Sequence, residues 1–386
     1  MASEKQGKYL LHVGGVFTEA TMLARPGVST AGNRWQLGLV RGLCEAGESV
    51  RVLGHVPEPI WPRGRALIHR RLGAIPVDVP GDLVGYWNVP ALRPRSLVAA
   101  YEKAFWRTCR RHGSPWAILS YNVTLHAARL ARQAKAYGIP WVCVVADVPD
   151  AGHARDEHDR LLAGAAGTVF LSWKLFQEAG PWPSLHLDGG AGALHFNEQE
   201  PPVTGGRKAL LYTGAMNQYG GVASLLAAFR AVSDPRVELW LCGKGDSPEA
   251  RRQARLDPRI RWYGLVSEDQ LADLSRRAFA FVNPRPTGLA ASAGNFPSKV
   301  LEYLSYGKPV LSTWTAGLSE EYRDVLTVFE DDSHRSMVTA IEDVLTWSPE
   351  RLLVVAGRIH AFLVKRLWPV QALRLARWLR EEVLRS

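Results

Sequence analysis

Four cysteines in 386 residues, Cys44, Cys109, Cys143 and Cys242, stand far apart and form no CxxC pair. That spacing argues against a disulfide framework and against a structural zinc site, and it suits a reducing compartment. No apolar run reaches the roughly 18 residues that a membrane span needs. The apolar stretch in MASEKQGKYLLHVGGVF is too short and too glycine-rich for a signal peptide. There is no repeat of fixed period and no long low-complexity tract. No Ser-His-Asp arrangement, P-loop or HExxH is present, and GxGxxG is missing after the first strand. With 47% apolar and 22% charged residues, the chain is neither disordered nor fibrous. At roughly 100 to 200 residues per domain, its length gives two domains or three. The expectation is a soluble cytoplasmic protein.

The formal charge is +10, and its distribution matters more than its size. Residues 56–115 hold ten Lys or Arg against four Asp or Glu, and residues 351–386 hold eight against two. Such segments attract phosphates on nucleic acid, nucleotide sugars or anionic lipid heads, or they form a solvated arginine-rich surface. Trp61, Trp87 and Trp106 are interleaved with the first set of arginines, which suits a membrane interface or, equally, a core. The aromatics form no stacking pattern for nucleic acid, so no nucleic-acid partner is expected.

Short apolar strands alternate with helical stretches, the grammar of parallel sheets covered by helices. In the first half strands fit Tyr9–Val13, Val50–Gly54, Ala117–Ser120, Trp141–Ala146 and Thr168–Leu171, with helices at Gln36–Cys44 and Leu125–Ala136. In the second half they fit Ala209–Thr213, Val237–Cys242, Ile260–Gly264, Ala278–Val282 and Pro309–Ser312, with helices at Val222–Val232, Glu268–Arg276 and Lys299–Tyr306. EQEPPVTGGRK, Glu198 to Lys208, reads as a linker. The tail from Pro349 is helical with a break at Trp368–Pro369, after which Val370, Leu373, Ala376 and Leu384 mark an apolar face. Two doubly wound α/β domains facing a cleft follow, and in such sheets ligands bind beyond the carboxyl ends of the strands.

Five loops there hold the candidate chemistry. Gly14 and Gly15 end the first strand and allow close backbone approach to a phosphate or sugar, or open a plain insertion of about eighteen residues before a helix at Arg34. In YTGAMNQYGGV, Gly214 offers backbone amides and Asn217 a side chain, for a ligand or for a turn. In LCGKGD, Lys244 could aim an ammonium at a diphosphate or simply decorate a tight turn. VVADVPDAGH carries Asp147, Asp150 and His153, where carboxylates suit hydroxyl binding, base work or capping. The longest, FVNPRPTGLAASAGNFPSKVLEYLSYGKPVLSTWTAG, leads through Thr287–Asn295 into a helix at about Pro297–Ser298. Lys299 in its first turn is unfavourable to the helix dipole, and Glu302 shares its face with Ser298 and Lys299. Glu302 is as a bare pattern a solvated charge.

YTGAMNQYGGVASLLAAF, LWLCGKGD, WYGLVSEDQLADLSRRAFAFVNP and NFPSKVLEYLSYGKPVLST together resemble, in order and spacing, the second domain of GT-B glycosyltransferases, and among them the retaining family four. LVRGLCEAGESVRVLG and LHLDGGAG extend the resemblance into the first half. The resemblance implies residues 1–197 as an acceptor-binding Rossmann-like domain, 208–350 as the nucleotide-sugar domain, and 351–386 as helices packing back on the first domain. It implies Glu302 on the nucleotide ribose, flanked by Ser298 and Lys299, with Asn295 and Phe296 by the sugar and the acceptor near the Gly14–Gly15 loop. Three positions depart from the pattern. The first motif glutamate falls on Gly294. The Arg and Lys expected after the first strand of the second domain fall near Ala215 and Tyr219 or Gly220. A first-domain histidine is replaced, with Asp147 the nearest candidate. The expected function is therefore metal-independent hexose transfer, with no cofactor, from a UDP- or GDP-sugar to an acceptor hydroxyl on a sugar, lipid or small molecule, either at an anionic membrane surface or free in the cytoplasm. A nucleotide-sugar epimerase and a degenerate sugar-nucleotide-binding subunit are the alternatives.

Overall fold

The computed structural model describes residues 8–25, 28–70, 73–149, 152–197, 206–289 and 294–385. Residues 1–7 of the start, Asp150, most of the expected linker (198–205) and residues 290–293 of the longest loop lie outside them. The chain divides into two units, one of Met1–Gly190 with Trp368–Ser386, the other of Ala191–Leu367.

The first unit is built on β1 (Leu10–Val13), α1 (Glu19–Leu23), α2 (Thr30–Glu45), β2 (Val50–Gly54), β3 (Leu67–Ile68), β4 (Gly81–Leu83), β5 (Tyr86–Trp87), α3 (Arg93–His112), β6 (Ala117–Tyr121), α4 (Leu125–Lys135), β7 (Trp141–Val145), α5 (His153–Leu162), β8 (Gly167–Phe170), α6 (Trp173–Gln177) and β9 (Ser184–His186). Seven strands pair in parallel in the order β4-β2-β1-β6-β7-β8-β9, while β3 and β5 form a separate antiparallel pair. β1, β7 and β8 are buried along their whole length, as strands covered on both faces must be. The expected strands all form, within a residue or two.

The β1 loop differs from expectation. A short α1 interrupts it, and α2 starts at Thr30 rather than Arg34 because the Ser29 hydroxyl caps it, accepting from Gly32 N at 3.1 Å. Two polar residues of α2 then face inward. Asn33 accepts from Phe17 N (2.7 Å) and donates to Phe17 O (3.1 Å), and Gln36 Oε1 accepts from Gly15 N at 2.9 Å. The loop is thereby pinned to the helix.

The second unit runs β10 (Lys208–Thr213), α7 (Val222–Phe229), β11 (Val237–Cys242), α8 (Pro248–Leu256), β12 (Ile260–Gly264), α9 (Glu268–Arg277), β13 (Ala280–Asn283), α10 (Lys299–Leu304), β14 (Val310–Ser312), β15 (Thr327–Val328), α11 (His334–Leu345) and α12 (Pro349–Val364). Its six strands are parallel in the order β12-β11-β10-β13-β14-β15. This is the doubly wound order, reversing between β10 and β13 as the first sheet reverses between β1 and β6. Leu210, Leu239, Leu241, Ala280 and Val282 are core residues with α7 and α11, and Phe281 stacks on Tyr303 of α10 at 4.7 Å. Ser267 and Gln270 close α9 with a capping box, and the Lys308 ammonium donates to three backbone carbonyls at its other end.

Glu238 ties three strands. It is buried on β11, yet accepts from Arg261 of β12 (2.9 and 3.0 Å), from Arg207 just before β10 (2.7 Å) and from Trp240 Nε1 (2.8 Å).

The chain then returns. α13 (Trp368–Trp378) and a following π-helical turn, Leu379–Val383, belong to the first unit, where α13 packs along α2. Trp368 lies against Gly38, Gly42 and Gly190, edge-on to Trp35 at 5.7 Å, and Arg380 grips both Glu48 oxygens at 2.6 Å. The expected apolar face needs correction. Val370, Leu373 and Leu384 are exposed, while Ala372, Leu375, Ala376 and Leu379 are buried, because docking is set by Trp368 in the glycine gap. The helix also begins at Trp368 rather than breaking there, since proline is tolerated in a first turn.

Gly42→Val is expected to destabilise the first unit by about 1–3 kcal/mol, since a β-carbon there falls 2.5 Å from the Trp368 carbonyl oxygen. Limited proteolysis should then release the segment from Trp368 onward; resistance equal to wild type would contradict this packing. A second expectation concerns acid. Burial pushes the Glu238 carboxyl up, but hydrogen bonds from Arg261, Arg207 and Trp240 outweigh it and hold the pKa at about 2. The stability it contributes is full above the unfolded carboxylate range near 4.5 and is lost as pH falls from there towards 2. Glu238→Gln should flatten that part of a Tm-against-pH curve.

Candidate functional site

In the second unit three loops leave the carboxyl ends of β10, β11 and β13, around the point where strand order reverses. They are locked together by backbone contacts that admit no side chain. Gly243, at φ 148°, passes so close to the Gly214 carbonyl that a β-carbon would overlap its oxygen. Gly221, at φ 72°, does the same with the Pro284 carbonyl. Gly214 N donates to Cys242 O (2.9 Å) and Met216 N to Lys244 O (3.0 Å). α10 stands beside them. Its Tyr303 hydroxyl accepts from Thr213 N (2.9 Å) and donates to Thr213 O (3.0 Å). The Lys299 ammonium also donates to Thr213 O and lies 5.8 Å from the Tyr212 ring centroid. A cation is thus held at the end of β10, next to Gly214.

The residues singled out in the sequence distribute as follows. Gly214 and Lys299 come together at the β10 end. Glu302 is half-buried on α10, one turn past the exposed Ser298. Ser298 itself is helical in backbone and makes no side-chain cap, and α10 has only six residues, fewer than the expected Lys299–Tyr306. Lys244 and Asp246 are exposed, the latter paired with Arg251 at 2.8 Å. Asn217 caps the turn Gln218–Gly220, its Oδ1 accepting from Tyr219 N (3.1 Å) and Gly220 N (3.2 Å). Phe296 is buried against Tyr322 at 5.7 Å, and Asn295 is half-buried beside Gly317. At Gly294 a β-carbon would meet nothing within 4 Å. Among the described residues no group of three or more His, Cys, Asp or Glu could hold a metal ion.

In the first unit the Gly14–Gly15 loop fits under Gln36, whose Oε1 also meets His12 Nε2 at 3.0 Å. Burial pushes His12 down to about 4, so its ring is neutral. Asp147 is exposed at the end of β7. It is positioned by Asn122 at the end of β6, which accepts from Ala146 N (2.9 Å) and Asp147 N (3.2 Å) and approaches Asp147 Oδ2 at 3.4 Å. Asn122 holds φ 59°, alone among the described non-glycine residues. Sequence reasoning missed it, since an Asn after a strand carries no sign of its partner. It also missed a histidine cluster at the end of β2. His55 Nδ1 lies 2.8 Å from the Tyr101 hydroxyl, and the His55 and His126 rings are 5.3 Å apart. Burial pushes His55 down to about 4, helped by Arg93, and His126 to about 3, helped by His55. Both are neutral hydrogen-bonding rings near pH 7.

This is the architecture of GT-B proteins, two Rossmann-like units with the last helix on the first, and solved structures share it over nearly the whole chain. A sucrose-phosphate synthase from Thermosynechococcus elongatus is 16% identical, with a TM-score of 0.65, covering 98% of this chain and all of its own. A lipopolysaccharide outer core galactosyltransferase in its apo form is 12% identical, with a TM-score of 0.64 and coverage of 96% and 99%. The catalytic domain of starch synthase IV from Arabidopsis thaliana, bound to ADP and acarbose, is 10% identical, with a TM-score of 0.62 and coverage of 98% and 100%. At these identities the likeness is one of fold. Residues 207–346, which lie in the second unit, match the family model described as glycosyl transferases group 1. No curated protein matches the chain by sequence.

Gly243→Ala is expected to cost about 1–3 kcal/mol through backbone strain and to spread the loops after β10 and β11. Thermal unfolding checks it; a Tm equal to wild type would show that the loops can part without cost.

Proposed function

We propose that the protein is a retaining glycosyltransferase moving a hexose from a UDP- or GDP-sugar to an acceptor hydroxyl, in polysaccharide, glycolipid or glycosylated-metabolite synthesis. One observation carries the reading. The group 1 glycosyl transferase match falls on the unit whose β10, β11 and β13 loops lock together at the switch point, with Lys299 held there and Glu302 a turn further on.

The roles follow from chemistry and position. A diphosphate leaving group gathers negative charge in the transition state, and fixed donors near it count most. Lys299 at the β10 end and the exposed Lys244 supply that charge, without a metal in this scheme, while the Gly214 N–H, already donated to Cys242 O, holds the loop in shape beside them. Glu302 accepts from ribose hydroxyls, with Ser298 beside it. Asn295 contacts the hexose, while buried Phe296 and the turn-capping Asn217 shape the pocket's walls. In the first unit the Gly14–Gly15 loop takes the acceptor, and Asp147, oriented by Asn122, holds or deprotonates a hydroxyl. The acceptor is met at an anionic membrane surface, to which the basic segments are drawn.

A second reading is favoured by Gly294, which leaves no carboxylate where the resembled family has one, in a spot with room for it. There the chain binds the nucleotide sugar but does not transfer it. A thermal-shift panel of UDP, GDP, ADP and dTDP distinguishes these. The preferred nucleotide at 100 times its Kd should stabilise by about 2.7 kcal/mol. Glu302→Ala should abolish most of that gain, and an unchanged gain refutes the ribose role. Intact UDP- and GDP-sugars with wild type, but hydrolysis with Gly294→Glu, would establish the second reading.

A further inference from the structure

The first unit carries a rigid apolar and basic platform beside the antiparallel pair β3 and β5. Asn88, fully buried, builds it. Its Nδ2 donates to Pro59 O (2.7 Å) and Arg65 O (2.9 Å), its backbone N to Ala66 O (2.6 Å), and its carbonyl accepts from Trp61 N (3.0 Å). The loop from Pro59 to Ala66 is thereby closed on itself. Ser96 fastens the start of α3 alongside, its hydroxyl accepting from Trp87 N and donating to Trp87 O.

What this scaffold presents is costly in water. Ile60, Trp61, Trp87 and Leu92 are 38%, 49%, 51% and 48% exposed. Next to them, Ile68 and Tyr86 are buried in the core of the unit. Trp106, by contrast, is half-buried, edge-on to Phe105 and Tyr137 and donating to Gln133 at 3.4 Å, and takes no part. Around the platform stand Arg63, Arg65 and Arg95, all exposed and none with an acidic partner among the described residues. The nearby carboxylates are occupied elsewhere: Glu58 by Arg25, Asp82 by Arg70 and Asp78 by Arg41. A hollow of about 410 Å³ opens next to Trp87, lined by Leu67, Ile68, Tyr86, Arg70 and Ser96.

From this juxtaposition we propose that the face is a docking site for an anionic phospholipid membrane. Two indoles and two aliphatic side chains on one fixed surface reach the headgroup boundary, where Trp is most favourable. Unpaired arginines beside them meet lipid phosphates, whereas a second copy of the same face would set these arginines against each other. The site places the first unit against a bilayer, which serves the membrane-side acceptor proposed above and rests on that reading only for its purpose.

The test is co-sedimentation of the full chain with vesicles of phosphatidylcholine alone or mixed with phosphatidylglycerol. Binding should require phosphatidylglycerol and weaken at about 0.5 M salt, where screening is nearly complete. Trp61→Ser with Trp87→Ser should weaken it by on the order of tenfold or more. Arg63→Gln, Arg65→Gln and Arg95→Gln should each weaken it about fivefold. Val370→Ser with Leu373→Ser, on the exposed face of α13, should leave it unchanged. Equal binding to both vesicle types overturns the proposal. So does wild-type binding by the tryptophan variant, or a dimer in light scattering that this variant abolishes. Thermal-shift responses to nucleotides, measured without vesicles, report separately on the donor site: docking can fail while they persist, and the reverse.

Discussion

Where Gly243 slides past the Gly214 carbonyl, two chain segments approach more closely than any β-carbon permits. The local order of the second unit depends on that contact. It joins the loops after β10 and β11, Gly221 joins the first of these to the segment after β13, and Tyr303 then ties α10 to the end of β10. A parallel sheet delivers its strand ends to one edge, but it does not by itself make them a site. Here glycine makes the loops a continuous surface, and Lys299 puts a cation on it.

The first unit reaches a similar end by other means. Its β1 loop is held by side chains, Asn33 and Gln36, which α2 turns inward. Its β6 and β7 ends are joined through a single carboxamide at Asn122. Backbone donors at Gly15 and Phe17 are therefore already used within the unit, and a ligand at this loop would depend on other groups, such as Asp147.

Much of this was legible beforehand. Buried parallel strands are unbroken apolar runs, so both sheets could be placed from the sequence within a residue or two. The glycine-rich loops after β1, β10 and β11 were legible too, though not why the glycines stand there, since the atoms they avoid come from distant segments. Inward-facing polar residues of α2 stayed hidden for the same reason: nothing in the sequence marks Asn33 and Gln36 as turned inward until the loop they hold is in place. The phase of α13 was misjudged because Val370 and Leu373 are more apolar than Ala372, yet the gap at Gly38 and Gly42 selects the face carrying Trp368, Ala372 and Ala376, of which only Ala376 was expected to be buried. Asn122 and the His55–His126 pair could not be found at all, because their meaning lies in pairings across β2, β6 and β7.

The glycine-lined slot for Trp368 also sets a timetable. On the ribosome, α2 emerges early, but the helix that covers it is made only after the whole second unit has been synthesised. Until then the nascent first unit carries a bare seam along Trp35, Gly38 and Gly42. The second unit can finish folding while the first waits, so a chaperone would find its binding surface on α2.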